Sequence, residues 1–305
     1  MLGHRILSAA FLIMALTAIV MASRGWMTIF VPTAVSLMAV VGLLEFYHLM
    51  EQRGFQPLRR WGVCFSVAYI FIIYFVSLKT IPPFEEAALM PVYVAIISAA
   101  VIIVFRANIS TALSTLASTL AGFLYVTWLI AFCLRIVLWR GAEKMDGRWF
   151  FLFFIATVKV SDTAAYFIGT WLGRHKLAPS ISPKKTIEGS IAGAVASMAT
   201  GAVLAVCLPV VSGVFHDCGE FIIDGAGRWL AALLGAVAGL LLGVLGQIGD
   251  LAESLWKRDA AVKDSGGYIP GMGGVLDVVD SLLFTAPLMY LFMKFFDWLQ
   301  QMIHA

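Results

Sequence analysis

Residues 246–281 read GQIGDLAESLWKRDAAVKDSGGYIPGMGGVLDVVDS. The carboxylates of Asp250, Glu253, Asp264, Asp277 and Asp280 alternate here with the cations Lys257, Arg258 and Lys263. From Asp250 the spacing is helical: Asp250, Glu253, Ser254, Lys257 and Arg258 stand at i, i+3, i+4, i+7 and i+8, on one face. Two carboxylates lie at one end of that face and two cations a turn further on. SGGYIPG then breaks the helix, and GMGG supplies a turn at which backbone can approach a ligand closely. Asp277 and Asp280, three apart, open the next helix. Carboxylates arriving from two helix ends suit a hard divalent cation, and Mg2+ is commonly held by one or two carboxylates plus substrate phosphates. Lysine and arginine neutralise phosphate oxygens. Phosphoryl or nucleotidyl transfer asks mainly for positioning and charge neutralisation, so this set is sufficient for it. Two blander readings compete: a salt-bridged amphipathic helix on a membrane surface, and the proton relay of a transporter. No GxxxxGK[ST], GxSxG or HExxH stretch and no histidine pair at ligand spacing offers another chemistry.

Two further stretches hold charge where apolar sequence surrounds it. In TVKVSDTAAYFIGTWLGR, Lys159 and Asp162 are three apart and share a helical face. Ser161, Thr163 and Tyr166 extend its polar character, so a polar cavity is expected there rather than a self-satisfied pair. In GRHKLAPSISPKKTIEGS, Pro179 and Pro183 break any helix and place Lys184 and Lys185 at the start of the next one. Two lysines at a helix N-terminus oppose its dipole, and a phosphate would compensate them. Ordinary topology signalling is the competing explanation. Glu45 and Arg135, also within apolar runs, read as interhelical pairing or snorkelling.

The elements that must position these groups are membrane helices. The chain has 305 residues, 61% hydrophobic and 13% charged. An average soluble domain is about 25% charged, which excludes an ordinary globular enzyme. The net charge of +3 gives no reason to expect nucleic acid as a partner. The reading is an all-α polytopic membrane protein of about nine transmembrane helices, at 6–22, 26–47, 61–78, 89–105, 112–138, 149–172, 189–211, 228–248 and 281–297. The N-terminus is read as an uncleaved first helix rather than a secretory signal. With the N-terminus cytoplasmic, twelve lysines and arginines face inward and seven outward, which favours that orientation. The polar loops 173–188 and 249–280 then both face the cytoplasm. The four cysteines have no CxxC spacing and read as small buried hydrophobes.

SLWKRDAAVKDSGGYIPGMGGVLDVVDS resembles the C-terminal motif of the phosphatidate cytidylyltransferase (CDP-diacylglycerol synthase) family. That motif runs S-x-x-K-R-x4-K-D, a short linker, P-G-H-G-G, two residues, then D-R-x-D. Ser254, Lys257, Arg258, Lys263, Asp264, Pro270, Gly271, Gly273, Gly274, Asp277 and Asp280 match it. GDLAES, SDTAAYFIG and SPKKTIEGS also look like that family's blocks, so the resemblance covers roughly residues 149–285. Met272 stands where the family has histidine, and Val278 where it has arginine. The resemblance implies an integral enzyme of a bacterial-type cell membrane, with its active site facing the cytoplasm. It would join CTP to phosphatidic acid, giving CDP-diacylglycerol and pyrophosphate with a divalent cation, Mg2+. Helices of 1–148 would precede a catalytic region, 149–305. Asp250 and Asp277 are the expected metal ligands, with Asp162, Asp264 and Asp280 as supporting or alternate carboxylates. Lys184, Lys185, Lys257, Arg258 and Lys263 would hold phosphate oxygens, Ser254 would add a hydroxyl, and Gly273 and Gly274 would bring backbone close to phosphate. CTP, phosphatidic acid and the bilayer are the expected partners, and a homodimer is an admissible assembly. A CTP-dependent polyprenol-type lipid kinase and a transporter are the alternatives.

Overall fold

The computed structural model describes residues 24–78, 90–106, 110–139, 147–207, 226–266 and 273–304. Eight helices and one hairpin follow in order: α1 (Arg24–Gln52), α2 (Arg59–Ser77), α3 (Met90–Arg106), α4 (residues 112–137), α5 (Gly147–Trp171), β1 (Lys176–Ala178), β2 (Ser182–Thr186), α6 (Ile187–Cys207), α7 (Ala226–Asp259) and α8 (Val275–His304). A π-helical stretch, Phe123–Trp128, interrupts α4. Among the described residues seven helices are long and apolar enough to cross a bilayer: Phe30–Gln52, Arg59–Ser77, Ala112–Val137, Gly147–Trp171, Ile187–Cys207, Trp229–Asp259 and Val275–Trp298. The protein is an all-α membrane protein. The expected span 6–22 lies outside the described residues, and so does Met272. The expected span 89–105 forms α3, whose apolar part, Pro91–Phe105, is shorter than the other seven.

The 173–188 segment departs from expectation. Lys184 and Lys185 stand in β2, not at a helix start, and β1 pairs with β2 antiparallel through Lys176–Thr186 and Ala178–Ser182. The helix begins only after Thr186, whose hydroxyl accepts the Gly189 N–H at 3.2 Å and so satisfies one of the donors left over at the helix start. Glu188, in the first turn, accepts the N–H groups of Arg174 and His175, each at 3.2 Å, which ties the base of the hairpin to α6.

α7 is 34 residues long, about 51 Å at 1.5 Å per residue, against roughly 30 Å of hydrocarbon. Its surplus is the polar end that carries Asp250 to Asp259. The helix stops where Ala261 takes a positive φ of 57°. There the Ala261 N–H donates to the Arg258 carbonyl at 3.0 Å and the Val262 N–H to the Lys257 carbonyl at 2.9 Å, the reversal that closes many helices.

The chain forms two compact units. One comprises residues up to Arg135 together with Trp256–Val279, and the other Ile136–Leu255 together with the chain from Asp280 on. In the first, Tyr47 is fully buried and donates its hydroxyl to the Thr119 carbonyl at 2.9 Å. Its ring occupies space left by Gly62 and Gly122. Tyr125 and Phe46 meet Trp256 edge-on at 4.2 and 5.6 Å between ring centroids, fixing the residue before Lys257. In the second, α6 and α7 approach so closely that a Cβ at Gly201 would strike the Gly235 carbonyl, and one at Gly239 the Ser197 carbonyl. Small residues let membrane helices gain dispersion contact in this way. Arg135, expected to pair or snorkel, lies 5.1 Å over the Phe132 ring.

Candidate active site

In the second unit three carboxylates gather. Asp250 and Glu253 come from one face of α7 and Asp280 from α8, with one ligand oxygen of each within 4.8 Å of the others. Glu253 and Asp280 are buried, and Asp250 is half-buried. A bare Gly249 allows this approach, since a Cβ there would meet the Asp280 carbonyl and the Phe284 side chain. Three like charges this close repel strongly at low dielectric unless a cation sits among them. Three hard oxygen donors fit a divalent cation of the Mg2+ type. Of the two expected metal ligands, Asp250 and Asp277, the trio contains Asp250; Asp280, expected as a supporting or alternate carboxylate, joins it, as does Glu253 from the same helical face.

Cations surround the trio. The Lys185 ammonium lies 2.7 Å from Asp250 Oδ2. Lys159 donates to Asp162 Oδ2 and to Ser281 Oγ, each at 3.1 Å, while the Ser281 N–H donates to Asp280 Oδ1 at 2.5 Å. The Lys159–Asp162 pair anticipated from spacing therefore exists and is tied to the residue next to Asp280. Ser254 donates to Asp250 Oδ1 at 3.4 Å. Asp162 and Asp250 also line a cleft of about 590 Å³ together with Tyr166, Lys176, Lys184 and Lys185. That volume suits a nucleotide or other small ligand. The polar cavity expected beside Asp162 and Tyr166 is present, and Lys184 stands exposed at it. Lys176, unremarked in the sequence, joins it because β1 pairs with β2.

In the first unit Asp277 is held on both oxygens. Oδ1 takes the Lys257 ammonium at 2.5 Å, and the two side chains keep only 9% and 12% of their exposure. Oδ2 accepts the Gly274 N–H at 2.7 Å, the Ser265 hydroxyl at 2.8 Å and the Ser265 N–H at 3.0 Å. Gly273, with φ at 93°, makes the turn that aims the next N–H at Asp277, a conformation that favours glycine. Arg258, Lys263 and Asp264 are exposed. Glu45, read as interhelical pairing or snorkelling, does pair between helices: it accepts the N–H groups of Val275 and Leu276 at 3.0 and 2.7 Å. No local pattern announces that contact, because its partners are backbone groups more than two hundred positions away.

The chain was compared with known proteins. Residues 3–296 match the cytidylyltransferase family. A phosphatidate cytidylyltransferase of Synechocystis sp. is 31% identical over 311 aligned residues, covering 95% of each chain. One from Staphylococcus haemolyticus is 40% identical over 52% of this chain and 57% of its own length, and one from Brucella suis 43% over 52% of each. With its family matched from residue 3 to residue 296, this chain belongs to the cytidylyltransferase family.

Proposed function

We propose that the protein transfers a cytidylyl group from CTP to phosphatidic acid, forming CDP-diacylglycerol and pyrophosphate for phospholipid synthesis. It is a membrane nucleotidyltransferase. The observation that carries the reading is the carboxylate trio of Asp250, Glu253 and Asp280, one member of which also lines a cleft bearing three lysines. A phosphatidate oxygen attacks the α-phosphorus of CTP, a new P–O bond forms, and the bond to pyrophosphate breaks. The nucleophile is already anionic near neutral pH, so no side chain has to remove a proton for the step to proceed. Lys176, Lys184 and Lys185 hold triphosphate oxygens from the hairpin side of the cleft. Lys257, Arg258 and Lys263 also bind phosphate, and Ser254 adds a hydroxyl. Asp250, Glu253 and Asp280 would hold the divalent cation, Mg2+, which when bound neutralises phosphoryl oxygens. Asp162 supports them through Lys159 and Ser281. Asp277 fixes Lys257 and is the further carboxylate of the reaction, with Asp264 as an alternate.

The decisive experiment incubates the purified protein with labelled CTP, phosphatidate and Mg2+ and identifies the products. CDP-lipid with pyrophosphate supports the proposal. CDP with a newly phosphorylated alcohol would make the protein a lipid kinase, and solute flux without CTP turnover would make it a transporter.

The active site faces the cytoplasm of a bacterial-type cell membrane. In this arrangement the N-terminus is cytoplasmic, about nine helices cross, and residues 149–305 form the catalytic region. Two crossing helices, α6 and α7, separate the 173–188 loop from the 249–280 loop, so both lie on one side. Cysteines placed at Pro179 and Lys263, in a chain otherwise free of cysteine, should resist an impermeant thiol reagent in intact cells and react after permeabilisation. Labelling of either without permeabilisation would reverse the orientation.

A further inference from the structure

Glu45 is a carboxylate in the middle of an apolar helix, 3% exposed, far from the sequence that does chemistry. It accepts the N–H groups of Val275 and Leu276, at 3.0 and 2.7 Å, and the Ser265 hydroxyl at 3.3 Å. Val275 and Leu276 are the first two residues of α8, where N–H groups have no partner within the helix and the dipole favours negative charge. A side chain of α1 thus caps a helix that begins 230 positions later. Ser265 joins the two acids, since its hydroxyl lies within donor distance of Glu45 and of Asp277 Oδ2.

The turn is shaped around this carboxylate. The three nearest neighbours of a Cβ added at Gly266 would all be Glu45 atoms, its carboxylate oxygen first. A Cβ at Gly274 would meet Ser265 Oγ and both Glu45 oxygens. Gly266 and Gly274 therefore leave room for Glu45. We infer that Glu45 is a positioning residue for the reaction, fixing the start of α8 and with it Asp277. It touches no substrate and acts through backbone.

The inference rests on the cytidylyltransferase reading for its catalytic consequence but not for its structural one. The test uses the full chain in detergent, with Glu45→Gln, Glu45→Ala, Gly266→Ala and the Glu45→Ala/Gly266→Ala pair. Amide hydrogen exchange is followed by mass spectrometry, and CDP-diacylglycerol formation is measured against both substrates. Glu45→Gln keeps one acceptor oxygen and should lower kcat about tenfold, Glu45→Ala about a hundredfold, with KM for CTP and phosphatidate within about threefold in both. Exchange should quicken at 274–277 and not along α2 or α6. Gly266→Ala alone should behave like Glu45→Ala, yet change kcat less than about threefold when added to it, because neighbours that act through one contact are not additive. Wild-type kcat and exchange in Glu45→Ala would overturn the inference, as would exchange that quickens throughout the molecule in Glu45→Gln. An unchanged cost of Gly266→Ala in both backgrounds would also overturn it. If the wild type makes no CDP-lipid, the functional reading fails while the exchange pattern still decides the role of Glu45.

Discussion

The two units hold buried acids in opposite ways. In the unit containing α1 and Trp256–Val279, Asp277 has donors on both oxygens: a lysine on one, a hydroxyl and two backbone N–H groups on the other. Glu45 accepts two backbone N–H groups and a hydroxyl. In the unit containing α5, α6 and most of α7, Asp250, Glu253 and Asp280 bring ligand oxygens within 4.8 Å of one another, with Lys185 and Ser254 on Asp250 and the Ser281 N–H on Asp280. The first arrangement is closed, because its charge is compensated by the fold. The second concentrates negative charge that a cation from outside would relieve. The two groups thus differ in whether the acids face protein donors or one another.

The strongest way to break this contrast is to neutralise the open trio. Asp280→Asn or Glu253→Gln should reduce CDP-diacylglycerol formation about a thousandfold or more, ~4 kcal/mol of barrier. Because either change removes a repelling charge, the melting temperature in chelator should equal or exceed that of the wild type. The stabilisation that Mg2+ confers on the wild type should fall by more than half. A variant that melts well below the wild type in chelator would show that the trio is as closed as the other site.

The closed site should respond with the opposite sign. Asp277→Asn leaves the Lys257 ammonium buried without its carboxylate, and breaking a buried pair costs about 3–5 kcal/mol. Melting should drop in chelator and in Mg2+ alike, together with a turnover loss of about a hundredfold. Adding Lys257→Met should recover most of the stability and none of the activity. Recovery of neither would mean that Asp277 is held chiefly by Ser265 and Gly274 rather than by the ion pair.

A smaller effect is expected at the rim of the cleft. Lys185 keeps 24% of its side-chain exposure and Asp250 36%, so their pair contributes little to stability after solvent screening. Lys185→Ala should leave melting nearly unchanged. It should raise KM for CTP about tenfold, with kcat within about threefold, and the penalty should shrink with added salt. An equal loss in kcat with KM unchanged would place Lys185 at the reacting phosphorus instead of on the triphosphate.

Much of the site was legible because its signals are local. The face of Asp250, Glu253 and Lys257 follows from helical spacing, but the helix, expected to break at SGGYIPG, already ends at Asp259, where Ala261 takes a positive φ. The Lys159–Asp162 pair follows from a separation of three within one helix. The misplacement of Lys184 and Lys185 has an equally specific cause. Prolines at 179 and 183 do exclude helix, but residues 182–186 pair with 176–178, and Thr186 rather than a lysine caps α6. That Ser265 and Lys257 engage Asp277 has no local signal, because both contacts are made across a break in the helix.

By itself the sequence determined the membrane class, the helical polar face, the family and the chemistry that its acids and lysines permit. These depend on composition, on periodicity and on residues within a few turns of one another. Only the tertiary structure decided which groups each acid meets. The Asp280 carboxylate meets Asp250 and Glu253 because Gly249 lets α8 approach α7. Lys185 reaches Asp250 across 65 positions of chain, and Glu45 reaches α8 across 230. A carboxylate's role is set by the donors that packing brings to it, and when those donors are backbone N–H groups, which nearly every residue possesses, no residue type marks them in advance.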